Sequence, residues 1–176
     1  MNIAVVDDEE IIRQQIHGFI KKQKPESEIS DFSTGEELLA AGREFDIIFL
    51  DIQMEGMGGI EAARTLRQRN ADAVLVFITG IKEYVFEAFD VSAFHYLLKP
   101  IAEQKFMEVL GRAAGEAGKR KVQKEQQIFI RTKNRGYTLN LSSILYIENR
   151  GKKVEIHTTD MEEIIEAYAT MEELEG

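Results

Sequence analysis

Over the first two thirds of the chain, apolar residues fall into two alternating patterns. One is a short unbroken run: Ile3-Ala-Val-Val6, Ile47-Ile-Phe-Leu50, Val74-Leu-Val-Phe-Ile78 and Tyr96-Leu-Leu98. Runs that are apolar at every position predict strands buried on both faces, as in a parallel sheet. The other pattern recurs every three or four residues and predicts helices. Over about 9–23, Ile11, Ile12, Ile16, Phe19 and Ile20 are expected on one stripe, and Pro25 stops that helix. A second helix starts near Ser33-Thr34, where Glu36 and Glu37 are placed for a capping box. A third, about 59–69, is expected to turn Ile60, Ala62, Ala63 and Leu66 inward. A short helix over about 82–90 and one over about 101–117, opened by Pro100, complete the set. Strands fall near 2–6, 27–32, 46–50, 73–78 and 93–98. Strand followed by helix, five times over, predicts an α/β domain: a five-stranded parallel, doubly wound sheet with right-handed crossovers and helices on both faces.

The pattern changes after residue 118. Gly111, Gly115 and Gly118 weaken the end of the last helix, and the polar stretch Lys119–Gln127 reads as a continuing helix or an exposed linker. The expected division is 1–118, a linker at 119–126, and a second domain at 127–176. Within the second domain, Ile128–Thr132, Tyr137–Leu141, Ile144–Ile147 and Val154–Thr158 alternate in a strand-like way. Asn134-Arg135-Gly136 and Asn149-Arg150-Gly151 supply turns, which predicts antiparallel hairpins. Thr170-Met-Glu-Glu173 is a capping-box signature for a helix that would have less than two turns, so this half is expected to be only part of a β-rich domain.

In an open parallel α/β sheet the carboxyl ends of the strands meet at one crevice, where ligands bind. Here those ends carry Asp7-Asp8, Asp51, Thr79 and Lys99. Three carboxylates, a hydroxyl and an ammonium at one point suit a divalent metal and a phosphoryl group. Each Asp taken alone could equally be a helix cap at a strand-to-helix junction.

Composition narrows the chemistry. The absence of Cys excludes disulfides, zinc thiolates and thiol nucleophiles. The sequence has neither a signal-peptide pattern nor an apolar stretch of membrane-spanning length, so the expectation is a soluble cytoplasmic protein with no membrane partner. The net charge of −9 is unevenly distributed: residues 1–118 carry −9, residues 119–153 carry +8 and residues 154–176 carry −8. The basic block could meet an anionic partner such as nucleic acid, or it could be a solvated linker with charged hairpin turns.

The order Asp7-Asp8, Asp51, Thr79, Lys99-Pro100 resembles the receiver domain of bacterial two-component response regulators, a CheY-like, flavodoxin-like fold. The motifs Val5-Val-Asp-Asp-Glu9, Leu50-Asp-Ile-Gln-Met54 and Leu98-Lys-Pro-Ile101 carry the likeness, which covers residues 1 to about 118. The resemblance implies that Asp51 accepts a phosphoryl group from a sensor histidine kinase. It also implies that Asp8 and Asp51 hold Mg2+ directly, with the Gln53 backbone carbonyl, and that Asp7 holds it through a water. Lys99 and Thr79 would contact the phosphoryl group. Tyr96 would be an aromatic switch coupled to Thr79, although strand packing alone also accounts for an aromatic there. His95, on the opposite face, is given no role. Glu55 and Gly58 depart from the family pattern and are expected to loosen their loop.

Residues from about 127 resemble the first part of a LytTR-type DNA-binding domain. The likeness rests on Ile128–Thr132, Leu141–Asn149, Lys152–Thr158 and Met171-Glu-Glu-Leu174. It implies transcriptional control, with Arg150, Lys152 and Lys153 as candidate DNA contacts. With only this part of the domain, DNA binding is expected to be weak or absent, and stronger in a longer parent. The resemblance also implies homodimerisation through the face of the fourth helix, fifth strand and fifth helix, including Lys82, Glu83, Glu87, Tyr96 and Lys105. Two other readings stand beside this one. The first is a receiver acting only through protein contacts. The second is a Mg2+-dependent phosphatase-like enzyme, which would normally carry a second Asp two residues after its nucleophile, where this chain has Gln53. The expected role is a switch that takes up and loses a phosphoryl group, not a dedicated turnover enzyme.

Overall fold

The computed structural model describes residues 1–69, 72–81, 83–132, 135–151, 153–159 and 164–167. The chain divides into two compact units, Met1–Lys119 and Arg120–Gly176. In the first, five strands form one parallel sheet in the order β2-β1-β3-β4-β5: β1 (Asn2–Val6), β2 (Glu28–Phe32), β3 (Ile47–Leu50), β4 (Val74–Thr79) and β5 (His95–Leu98). The helices are α1 (Glu10–Gln23), α2 (Gly35–Ala40), α3 (Gly59–Gln68), α4 (Val85–Asp90) and α5 (Glu103–Glu125).

The unbroken apolar runs are explained by a core on each side of the sheet. Ile3, Val5, Ile47, Phe49, Val74, Val76, Ile78 and Leu97 pack with Ile16 and Ile20 of α1 and Phe106, Val109 and Leu110 of α5. The alternate residues Ala4, Val6, Ile48, Leu50, Leu75 and Phe77 pack with Leu38 of α2, Ala62 and Ala63 of α3, and Ala88 of α4. Neighbouring strand residues face opposite layers, so both sets must be apolar. Each fully buried Ile, Leu or Phe contributes about 1.5–3 kcal/mol by leaving water.

Several elements differ from the sequence reading. Ile11 does not join the inner stripe of α1 and is 79% exposed. It lies nine residues from Ile20, half a turn out of phase at 100° per residue, so it points away from the sheet. The capping carboxylates of α2 divide their work. Thr34 caps the helix by accepting from the Glu37 amide at 3.2 Å, and the Glu37 carboxylate returns to the Ser33 amide at 2.7 Å. Glu36 instead accepts from the Met57 amide at 2.9 Å and so tethers the loop after β3. Gly58 stands at the N-terminal boundary of α3 with a φ of −67°. Gly56, at φ +76°, and Gly59 are the glycines that the loop requires. A Cβ at Gly59 would stand 1.9 Å from the Asp51 carbonyl oxygen, so α3 can start against the Asp51 backbone only because position 59 has no side chain. The stretch 119–125, read as helix or linker, continues α5 to Glu125.

In the second unit, β6 (Gln127–Arg131) and β7 (Gly136–Asn140) pair antiparallel. A separate antiparallel sheet has the order β10-β9-β8, from β8 (Ile144–Asn149), β9 (Val154–Thr158) and β10 (Ile165–Ala167). Ile130 and Leu139 of the hairpin pack with Val154, Ile156, Ile165 and Ala167 of that sheet in one core. β10 is absent from the sequence reading because three residues are too few to show an alternation. The helix expected from Thr170 lies outside the described residues.

The backbone contact at Gly59 gives a direct test. Gly59→Ala should lower stability by roughly 2–3 kcal/mol, the scale of forced overpacking. Urea denaturation should show it as a lower midpoint with an unchanged slope.

Candidate functional site

Backbone hydrogen bonds continue past the strand ends and fix the site residues in register. The Asp7 amide donates to the Phe32 carbonyl (3.1 Å), the Asp51 amide to the Val6 carbonyl (2.8 Å) and the Lys99 amide to the Thr79 carbonyl (2.9 Å). Asp7, Asp51 and Thr79 are buried, while Asp8 is exposed at the rim. Carboxylate oxygens of Asp7, Asp8 and Asp51 lie within 4.8 Å of one another.

Among these acids lies the Lys99 ammonium. Its Nζ is 2.8 Å from Asp51 Oδ2, 3.0 Å from Asp7 Oδ2 and 2.8 Å from Glu9 Oε1. Burial alone would lower the Lys99 pKa. Its contacts with Asp51, Glu9 and Asp7 outweigh it and raise the pKa above the ordinary lysine value. The second Asp51 oxygen, Oδ1, accepts from the Ile52 amide at 2.6 Å and the Gln53 amide at 3.3 Å. Asp7 Oδ1 accepts from the Glu9 amide at 3.0 Å, and the Asp7 carbonyl accepts from the Arg13 guanidinium. The Asp7 pKa is raised, mainly by burial, and hydrogen bonds from Lys99 and Glu9 only partly offset this.

Thr79 Oγ1 accepts from the Ile81 amide at 3.4 Å, and the Tyr96 hydroxyl donates to the Ile81 carbonyl. The Tyr96 ring lies 6.4 Å from that of Phe77, in the core layer of α2, α3 and α4. Burial, with Glu83, Asp51 and Glu87 nearby, raises the Tyr96 pKa. His95 hydrogen-bonds through Nδ1 to the Tyr96 amide at 2.7 Å. Burial lowers its pKa.

The sequence reading assembled Asp7, Asp8, Asp51, Thr79 and Lys99 at the strand ends, and these residues do lie at one end of the sheet. It assigned no role to Glu9 or Arg13, and it gave Glu36 only a place in a capping box. Glu9 follows the Asp pair and precedes α1, where an acid reads as helix-dipole complement. Its reach to Lys99 is a tertiary fact with no local signature.

The candidate DNA contacts are engaged within their own unit. Arg150 pairs with Glu148 at 2.9 Å and Glu155 at 3.5 Å, and Lys153 pairs with Glu166 at 2.7 Å. Glu148, Glu155 and Glu166 stand side by side across β8, β9 and β10. Like charges directly opposite repel, and the two cations relieve that repulsion. Glu148, Glu155 and His157 also group closely enough to hold a metal ion, but the Arg150 guanidinium already bridges the two carboxylates. Lys152, and Lys82 of the expected dimer face, lie outside the described residues. Among the described residues, no helix is long and apolar enough to cross a membrane.

A family model described as response regulator receiver domain matches residues 3–111. Over 99% of its length the chain is 27% identical to sensory transduction protein LytT of Oceanobacillus iheyensis, of which it covers 73%. It spans about half the length of other curated relatives that it matches. The crystal structure of the response regulatory domain of protein mrkE from Klebsiella pneumoniae is 30% identical, with a TM-score of 0.64, covering 68% of this chain and 99% of that one. The response regulator protein TrrA from Thermotoga maritima, solved in complex with Mg2+-BeF, is 28% identical, with a TM-score of 0.56, covering 64% of this chain and 97% of that one.

The raised Asp7 pKa sets a pH test. A carboxyl whose folded pKa lies above its unfolded value contributes fully below the unfolded pKa, and the contribution is lost as pH rises through the folded value. Asp7→Asn avoids that loss. In metal-free buffer the variant should be more stable than the parent at pH 7, and the gap should close towards pH 4. Thermal melts at the two pH values should show this.

Proposed function

The chain belongs to the response regulator receiver family, and from that premise we propose that Asp51 is its phosphoacceptor, taking a phosphoryl group from a phosphohistidine of a sensor kinase. The observation that carries this reading is the setting of the Asp51 carboxylate. It lies at the carboxyl end of a central strand, paired with Lys99 through one oxygen and grouped with Asp7 and Asp8. In the transfer, an Asp51 oxygen forms the new bond to phosphorus. The bond from phosphorus to the imidazole nitrogen breaks, and its electron pair stays on the imidazole. Lys99 supplies positive charge beside the incoming oxygens.

The site fits Mg2+: the donors are hard carboxylate oxygens, and one ammonium leaves three clustered acids with excess negative charge. Asp8, Asp51 and the Gln53 carbonyl would hold it directly, and Asp7 through a water. When bound, it supplies charge neutralisation for the carboxylate and the phosphoryl group. Burial of Asp7 and Asp51 at the sheet end excludes bulk water from their side chains and strengthens these electrostatic contacts.

Thr79 and Tyr96 then act as the readout. Thr79 turns its hydroxyl towards the phosphoryl group, and Tyr96 responds. Ile81 supports this coupling, because it donates to Thr79 through its amide and accepts from Tyr96 through its carbonyl. The response passes to the face of α4, β5 and α5. Phe86 and Phe89 of α4 are 80% and 74% exposed there, a surface suited to a second copy. The second unit is the first part of a LytTR-type output domain, through which the phosphorylated parent controls transcription in the cytoplasm. Because Arg150 and Lys153 are held by glutamates, a phosphate contact would have to displace those pairs, so this chain alone binds DNA weakly.

Two measurements test the reading. Intact mass after acetyl phosphate and Mg2+ should rise by one labile phosphoryl group (~80 Da). Asp51→Ala or omission of Mg2+ should abolish the gain. Sedimentation with beryllofluoride and Mg2+ should show a shift from monomer to dimer, lost in Phe89→Ser; an unchanged mass at high protein concentration would remove the dimer from the proposal.

A further inference from the structure

Lys99 carries three N–H protons. It donates to Asp51 and Glu9, and a third carboxylate oxygen, Asp7 Oδ2, stands 3.0 Å from the ammonium as an ion pair. Three carboxylates thus crowd one ammonium before any phosphoryl group arrives. A phosphoryl oxygen would be a fourth anionic neighbour, and one of the three contacts must be given up.

The three are not equally easy to break. Asp51 is the residue being modified, and its other oxygen is pinned by the Ile52 amide. Asp7 is 1% exposed, its amide is bound to the Phe32 carbonyl, and its second oxygen is held by the Glu9 amide. Pulling Lys99 from either would strand a buried carboxylate, which is costly. The Glu9 side chain is 60% exposed, so water replaces the ammonium there at little cost. Its backbone is fixed all the same: the Glu9 carbonyl accepts from the Ile12 and Arg13 amides as α1 begins. Glu9 is thus anchored at the main chain and free to release at the side chain.

We propose that Glu9 is a positioning residue that holds the Lys99 ammonium in the resting site and is the contact surrendered when a phosphoryl oxygen moves in beside that ammonium. This rests on the phosphoacceptor reading and deepens it. With acetyl phosphate, an Asp51 oxygen bonds to phosphorus, the phosphorus–oxygen bond to acetate breaks, and acetate leaves with the electron pair. Lys99 keeps all three protons and exchanges one partner. Glu9 then sets how fast the site loads and how readily it empties, because it competes with the phosphoryl group for one ammonium.

The test uses the whole chain with Glu9→Ala and Glu9→Gln, at saturating Mg2+ so that metal affinity does not enter. The first readout is the Lys99 ammonium resonance in nitrogen–proton NMR, assigned by its disappearance in Lys99→Ala and recorded without any phosphoryl donor. Glu9→Ala should speed its proton exchange with water by up to about fivefold, the scale of one exposed ion pair. The second readout is the phosphorylation rate at saturating acetyl phosphate. It should rise by a similar factor in Glu9→Ala, with Glu9→Gln between the two, because the amide keeps an oxygen acceptor but loses the charge. Thermal midpoints should stay within a degree or two, since the side chain is exposed. Unchanged ammonium exchange and unchanged rate in Glu9→Ala would overturn the proposal. A parent chain that takes no phosphoryl group would instead overturn the phosphoacceptor reading, and the donor-free ammonium signal tells the two failures apart.

Discussion

Acidic side chains gathered at the end of a buried sheet repel one another, and the Lys99 ammonium offsets that repulsion here. It touches Asp7, Asp51 and Glu9 at once, and its position is set by the bond from its own amide to the Thr79 carbonyl. The sheet brings the charges together and the ammonium makes that gathering tolerable. One positive charge does not match three acids, so the site keeps an excess of negative charge. The residual strain is visible at Asp7, whose proton affinity rises despite its bond to Lys99.

The sheet and the clustered residues were legible in the sequence because both follow from short-range patterns. Runs such as Val74–Ile78 are apolar at every position only when both faces are covered, and the residue after such a run falls at the ligand-binding end by construction. Tertiary geometry was not legible. Nothing local distinguishes Gly58, whose backbone is ordinary, from Gly59, whose missing Cβ lets α3 approach the Asp51 carbonyl. Nothing local sends Glu36 to the Met57 amide and Glu37 to Ser33. Ile11 shows a different limit. A stripe drawn from apolar identity admitted it, whereas helix phase places it opposite Ile20.

The charge blocks of the second unit show why net charge along a sequence can mislead. A run of +8 followed by a run of −8 suggests a surface awaiting an anion. In the fold, strand pairing interleaves the two runs. Arg150 and Lys153 meet Glu148, Glu155 and Glu166 across the sheet of β8, β9 and β10. Part of the apparent excess is used within the unit, and a partner would find less free positive charge than the linear count implies.

Thr79 and Tyr96 are joined through the amide and carbonyl of residue 81, not through its side chain. A link made of main-chain atoms leaves no trace in residue identity. Evolution could exchange the letter at position 81 almost freely while the coupling persisted, and an alignment column there would look unconstrained. Only proline, which has no amide hydrogen to offer Thr79, would cut the link from within the genetic code. Variation at a position is thus compatible with a fixed hydrogen-bonding role for its backbone.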